Sequence, residues 1–193
     1  MPILFNALFD PDNNVRASAT YAVGLMEQSV VPLLLERLNS SDPETQVAAM
    51  RALAGVHPPL QLVSTNLISM ASTSSGELRR QTIETMGALR LASSNAASIM
   101  MAALDDPEPA IRAAAIKAVG EISWKTAAAI PRLTELTRSS LMGERAAAIS
   151  ALGQFGLRAS NAAPAVKLLL VDSENVVRTA ATNALAKIAP ATP

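Results

Sequence analysis

The side chains best suited to acid–base or metal chemistry are His57, in the segment VHPPL, and the adjacent carboxylates Asp105 and Asp106, in LDDPEP. A histidine titrates near neutrality and can act as a base or a metal ligand. His57, however, has no acidic residue near it in sequence, and the chain contains no Cys, so it reads as a loop residue. Asp106 stands before Pro107, as Asp10 stands before Pro11 and Asp42 before Pro43. That repeated Asp-Pro pair is a helix-capping turn, because Asp accepts orphan backbone N–H groups and Pro disfavours continued helix before it. No nucleophile elbow, phosphate loop or metal-spaced histidine pair occurs in the sequence, and each of those chemistries needs such an arrangement. No catalytic residue, cofactor or metal ligand is therefore assigned.

The remaining chemistry is recognition. Arg51, Arg80, Glu84, Lys117 and Glu121 supply charges of both signs, and Tyr21 and Trp124 are the large amphipathic aromatics, a type favoured as binding anchors. Together these seven residues form the candidate partner-binding set. Arg80 with Glu84 and Lys117 with Glu121 are each four apart, so each pair can instead join within its own helix for a few tenths of a kcal/mol.

Composition narrows the elements that must carry these residues. Half of the 193 residues are hydrophobic, yet only 3% are aromatic. That is the composition of helices rather than of a β-sandwich. Sixteen basic residues balance 16 acidic ones, whereas a nucleic-acid binder usually carries a basic excess to displace counterions. The apolar runs, such as 99–104 and 166–171, are far shorter than the ~20 residues of a membrane span. The start MPILFNALFD lacks a basic segment and a small-residue cleavage site, so no signal peptide is expected and a cytoplasmic location is.

Internal repetition then sets the architecture. Arg79, Arg112, Arg145 and Arg178 are successively 33 apart; one period earlier lies Gln46, and a step of 30 from there reaches Arg16. A second column, Pro32, Thr65, Ser98, Pro131 and Pro164, keeps the same period, with Pro2 30 before Pro32. Each unit reads as a short helix A opening near the Pro column, an Asp-Pro-type turn, and a longer helix B opening near the Arg column. Within helix B, Val177, Ala181, Ala184, Leu185 and Ile188 fall on one helical face, as do Ile111, Ala115, Ala118, Val119 and Ile122. The expected fold is all-α, a right-handed α-α superhelix of six helix pairs. It fills 1–189 as a single solenoid, with repeats at about 1–27, 28–57, 58–92, 93–125, 126–158 and 159–189, and leaves a linker-like tail at 190–193.

Function in such a stack should sit where the copies differ on an exposed face. Numbering helix B from the residue before its Arg, the seventh-position row runs Tyr21, Arg51, Glu84, Lys117, Ser150, Asn183, and the tenth runs Gly24, Ala54, Gly87, Gly120, Gly153, Ala186. The small tenth-position residues suggest a smooth groove with a charged middle.

The sequence Pro-x-Leu, then Asp-Pro, then Val-Arg-x-Ala-Ala-x-x-Ala-Leu-Gly-x-Ile resembles HEAT repeats of the bacterial type, similar to those of phycobilisome-lyase-type proteins, over the whole chain. The resemblance implies a structural ladder of turn Asp and helix-B Arg, matched here at Asp10/Arg16, Asp106/Arg112 and Asp172/Arg178. Ser40, Thr73 and Ser139 replace the Asp, and Gln46 one Arg, so the ladder is expected to break in the middle. The family has no shared active site. What it implies is a non-catalytic scaffold or adaptor that binds a protein segment on the helix-B face. The alternatives are a chromophore-lyase-like ligand handler and a DNA-binding, alkylation-repair-like protein. The latter would require a basic strip from Arg51, Arg79, Arg80 and Arg90. The apolar Ile3, Phe5 and Phe9 beside Leu4 and Leu8 suggest uncapped terminal repeats open to self-association.

Overall fold

The computed structural model describes residues 2–8, 10, 12–25, 27–123 and 126–190. Its regular elements among those residues are all helical, in two compact units, Met1–Leu89 and Arg90–Pro193. The first holds α1 (Pro2–Ala7), α2 (Asn13–Gly24), α3 (Val31–Leu38), α4 (Pro43–Val56), α5 (Leu60–Thr73) and α6 (Gly76–Ala88). The second holds α7 (Ser94–Ala102), α8 (Pro109–Glu121), α9 (Ile130–Leu136), α10 (Met142–Phe155), α11 (Ala163–Lys167) and α12 (Asn175–Ile188). Each unit is three A/B pairs, with the A helices odd and the B helices even. The division falls at Arg90, a residue in the left-handed region (φ 52°), just before the expected start of the fourth repeat. The expected tail at 190–193 lies, beyond Pro190, outside the described residues.

Helix A begins where the Pro column predicts in four repeats, because Pro2, Pro32, Pro131 and Pro164 occupy the first turns of α1, α3, α9 and α11. Where a hydroxyl replaces Pro, the start moves. Thr65 and Ser98 lie inside α5 and α7, which open at Leu60 behind Pro59 and at Ser94 behind the Ser93 cap. A hydroxyl residue tolerates helix interior and marks no boundary, so the expectation of a short helix A fails for α5, which is 14 residues long.

The B helices form the packing spine of each unit: α2 packs on α4 and α4 on α6, and in the second unit α8 packs on α10 and α10 on α12. The predicted stripe is the core: Ile111, Ala115, Ala118, Val119 and Ile122 are all buried, as are Val177, Ala181, Ala184 and Ile188, while Leu185 of the last stripe is only half-buried. Alanine at the fifth and eighth positions lets helix axes approach, and larger residues fill between. In α6 the stripe carries Thr82 and Thr85, both fully buried. The Thr82 hydroxyl donates to the Leu78 carbonyl at 2.7 Å, so burial leaves its proton bonded.

The tenth-position row departs from the expected open groove. Gly87, Gly120 and Gly153 are buried, and the last two are where the next B helix comes closest. A Cβ at Gly120 would lie 3.3 Å from the Ala151 Cα, and one at Gly153 3.2 Å from the Ala184 Cα. The tenth residue follows the sixth by four, about 40° round the helix, and Ile116 and Ile149 at the sixth position are fully buried. The glycines belong to the stacking seam.

Candidate binding surface

The Arg column positions the turns. Arg112 donates from Nη1 to the carbonyls of Asp106 (2.8 Å) and Pro107 (3.0 Å), and Arg178 does the same to Asp172 and Ser173. Arg16 donates to the Asp10 carbonyl at 2.6 Å. The Asp carboxylates meanwhile accept the N–H two residues on, from Asp12, Glu108 and Glu174. The ladder therefore reaches its own turn through backbone carbonyls, and at Ser139 the expected break does not occur. Arg145 donates to the carbonyls of Ser139 (2.9 Å) and Ser140 (3.2 Å), and the Gln46 amide donates to the Leu38 carbonyl at 3.1 Å. A carbonyl is present whatever the side chain, which is why Ser in place of Asp costs the latch nothing.

The other edge of the guanidinium reaches forward to the next repeat. Arg145 grips Asp172 with two bonds (3.0 and 3.1 Å), and Arg112 donates to buried Glu144 from Nε (2.8 Å), with Nη2 2.7 Å from the same oxygen. Arg51 of α4 likewise donates to Gln81 of α6 at 2.9 Å. Such forked pairs are stronger than point contacts. Sequence reasoning missed Glu144 and Gln81, although Glu144 was visible as the one acid at a position where other repeats carry Ile111 and Val177.

The Arg145 fork, followed by the Glu174 N–H, holds the Asp172 carboxyl below its ordinary value. A carboxyl with a depressed folded pKa stabilises above the unfolded value of ~3.9 and loses that contribution as pH falls through the lower folded value. Titration of Asp172 by carboxyl-carbon NMR should therefore show a midpoint below that of free Asp, and Arg145→Ala should raise it. An unchanged midpoint in the variant would show that the fork is not the cause.

Of the predicted binding residues, Tyr21 and Arg51 come together. In the first unit, Arg16, Ala17, Thr20, Tyr21, Leu25, Arg51 and Gly55 line an open cleft of about 610 Å³ between α2 and α4. Tyr21 is 72% exposed and Leu25 66%, so its wall is an apolar pair one helical turn apart. Leu25 was not foreseen; its signal was its place four residues after Tyr21.

Arg80 and Glu84 do not present free charge. Arg80 donates to Glu77 at 2.8 and 2.6 Å and to Glu84 at 2.5 Å, and Glu77 also lies 3.4 Å from Arg51. Glu77 first and Glu84 after it hold the Arg80 guanidinium more firmly protonated, and the Arg80 bond holds the Glu77 carboxyl low. Two cations and two anions thus neutralise one another, and Arg51 and Arg80, two members of the supposed basic strip, are each engaged with Glu77. On α8, Lys117 is exposed and Glu121 half-buried, with no ion pair between them among the described residues. Trp124 and Phe9 lie outside the described residues. His57 caps α4 in the left-handed region (φ 49°). Among the described residues, no group of three or more His, Cys, Asp and Glu could hold a metal ion, and no helix is long and apolar enough to cross a membrane.

Residues 64–153 match a family model of HEAT repeats, and residues 1–29 match the HEAT repeat model itself. No curated protein matches the chain. Among solved structures, the chain is similar to Escherichia coli YibA (20% identity, TM-score 0.74, covering 96% of this chain and 69% of that one). It is also similar to the complex of CpcE and CpcF of phycocyanin lyase from Nostoc sp. PCC7120 (19%, 0.65, 97% and 76%). A third is Kap95p, whose binding induces the switch loops of RanGDP to adopt the GTP-bound conformation (14%, 0.71, 99% and 31%). At these identities the likeness is one of fold.

Proposed function

Since the chain belongs to the HEAT-repeat family, we propose that it is a non-catalytic scaffold that holds a segment of a protein partner against the B helices of its first unit. The observation that carries this reading is the cleft between α2 and α4, where Tyr21 and Leu25 stand exposed beside Arg51. A tyrosine beside a guanidinium supplies two of the residue types that dominate binding energy at interfaces, and Leu25 adds exposed apolar area next to them. The cleft is open, whereas small-molecule sites bury most of their ligand's surface, so it suits a side chain anchored from a larger partner. Protein binding by Kap95p, a protein of similar fold, agrees with the class of function.

The test is capture from native lysate by the tagged chain, with the partner identified by mass spectrometry and its affinity then measured. Tyr21→Ala and Leu25→Asp should each weaken that partner by more than about tenfold, the effect of losing an interface anchor. Lys117→Glu, on α8 of the second unit, should leave it within about threefold. Binding that ignores Tyr21 and Leu25 overturns the assignment to this cleft. A coloured or small-molecule species leaving with the same variants would favour the ligand-handling reading, since the cleft lies within the roughly 300–1,000 Å³ of ligand sites.

A further inference from the structure

The contact that joins one repeat to the next is made twice in full in the second unit and left half-made at its sixth repeat. Arg112 and Arg145 each hold their own turn with one edge and an acid of the following repeat with the other. Arg178 holds its own turn in the same way, but its forward edge meets only the Asn175 amide oxygen, at 3.4 Å. No carboxylate among the described residues lies within ion-pair distance of it. Around it the forward stacking face is open: Leu170 is 41% exposed, where Leu104 and Thr137 at the same position are 1% exposed. Ala186 is exposed where Gly120 and Gly153 are buried.

The first repeat carries the matching half. Asp10 stands six residues before Arg16, as Asp172 stands six before Arg178. Its turn is built alike: the Asp12 N–H donates to its carboxylate at 2.8 Å, as the Glu174 N–H donates to Asp172 at 2.9 Å, and the following Arg holds its carbonyl in both. Asp172 is bound by Arg145, whereas no ion pair among the described residues reaches Asp10. Val15 is 37% exposed where its counterpart Val177 is fully buried. One face thus offers an unfilled cation fork with an apolar surround, and the other offers an acid in the same local geometry as the one that fills the fork within the chain.

We propose that the forward face of the sixth repeat receives the first repeat of a second copy of this chain. Asp10 of that copy takes the place beside Arg178 that Asp172 takes beside Arg145. The two faces differ, so the contact is head-to-tail, and it either closes into a ring or runs on as a chain of copies.

Sedimentation of the chain from about 1 µM to 1 mM tests this, a range that brackets weak self-association. The mass should rise with concentration, and less so at high salt, which screens the exposed part of the pair. Asp10→Arg and Arg178→Asp should each weaken association at least tenfold, and the double variant D10R/R178D should recover it to within about threefold. Because Arg178 also holds its own turn, Ala186→Glu supplies a second probe that leaves that latch intact. It should abolish association without changing helicity. A monomer mass over the whole range overturns the proposal, and so does association that Ala186→Glu leaves unchanged.

Discussion

Arg112→Ala should lower the unfolding free energy of the second unit by about 3 kcal/mol, because it strands a buried carboxylate. Glu144 is 5% exposed, and its oxygens are taken by the Arg112 guanidinium and by the Ser139 hydroxyl at 2.6 Å. Without the guanidinium, the charge keeps one neutral donor in a site closed to water. For a unit of this size the loss corresponds to a fall in Tm of roughly 10–20 °C. Glu144→Val behaves differently. The same helix position is Ile111 in the fourth repeat and Val177 in the sixth, both buried, so an apolar side chain suits it. The double variant R112A/E144V should cost about 1–2 kcal/mol, less than Arg112→Ala, since removing both partners leaves no orphaned charge and only the Arg112 bonds to the Asp106 and Pro107 carbonyls are lost. Chemical denaturation of the four members of this cycle measures the coupling directly. If the double variant is as unstable as Arg112→Ala, the stranded carboxylate is not the cause.

Gly153→Val should destabilise the contact between α10 and α12 by about 2 kcal/mol, against the intrinsic helix preference, which favours Val over Gly. A Cβ there would sit 3.2 Å from the Ala184 Cα and 3.3 Å from its Cβ. Those atoms belong to a neighbouring helix backbone and cannot swing aside, so α12 must move as a body. Gly143 is the control within the same helix. Nothing lies within 4 Å of a Cβ built on it, and Gly143→Ala should stabilise by about 0.5–1 kcal/mol through the unfolded chain and helix propensity. Hydrogen exchange of α12 amides separates the two effects: Gly153→Val should speed exchange there, while Gly143→Ala should not. Equal protection in both variants would mean that the seam tolerates the extra bulk.

These two cases also mark where the sequence was legible. The 33-residue period and the buried stripe of Ile111, Ala115, Ala118, Val119 and Ile122 could be read because burial repeats and leaves the same residue types in the same places. The Gly120 and Gly153 row was misread because a small residue permits close approach without saying what approaches. The large apolar residues four positions earlier, Ile116 and Ile149, carried the answer. The ladder was read as side chain to side chain because a sequence displays only side chains. Its first contact is to backbone carbonyls, which no substitution at Ser139 or Ser140 removes. At the cleft, Tyr21 and Arg51 were legible as variable positions on helix B. Their meeting with Leu25 depends on how α2 lies against α4, which periodicity alone does not give.

The carbonyl latch has an evolutionary consequence. A turn held by its backbone is free to drift: Asp10, Asp106, Ser139 and Asp172 all occupy the latched position, and the guanidinium grips each in the same manner. The Arg has less freedom: Gln46, which stands in its column, donates to the Leu38 carbonyl without forking a carboxylate, and a lysine ammonium is a single point that cannot hold one turn while forking a carboxylate in the next. Variation is thereby channelled into the turn residues and the exposed rows of helix B, where new partners can be acquired without renegotiating how the repeats stack.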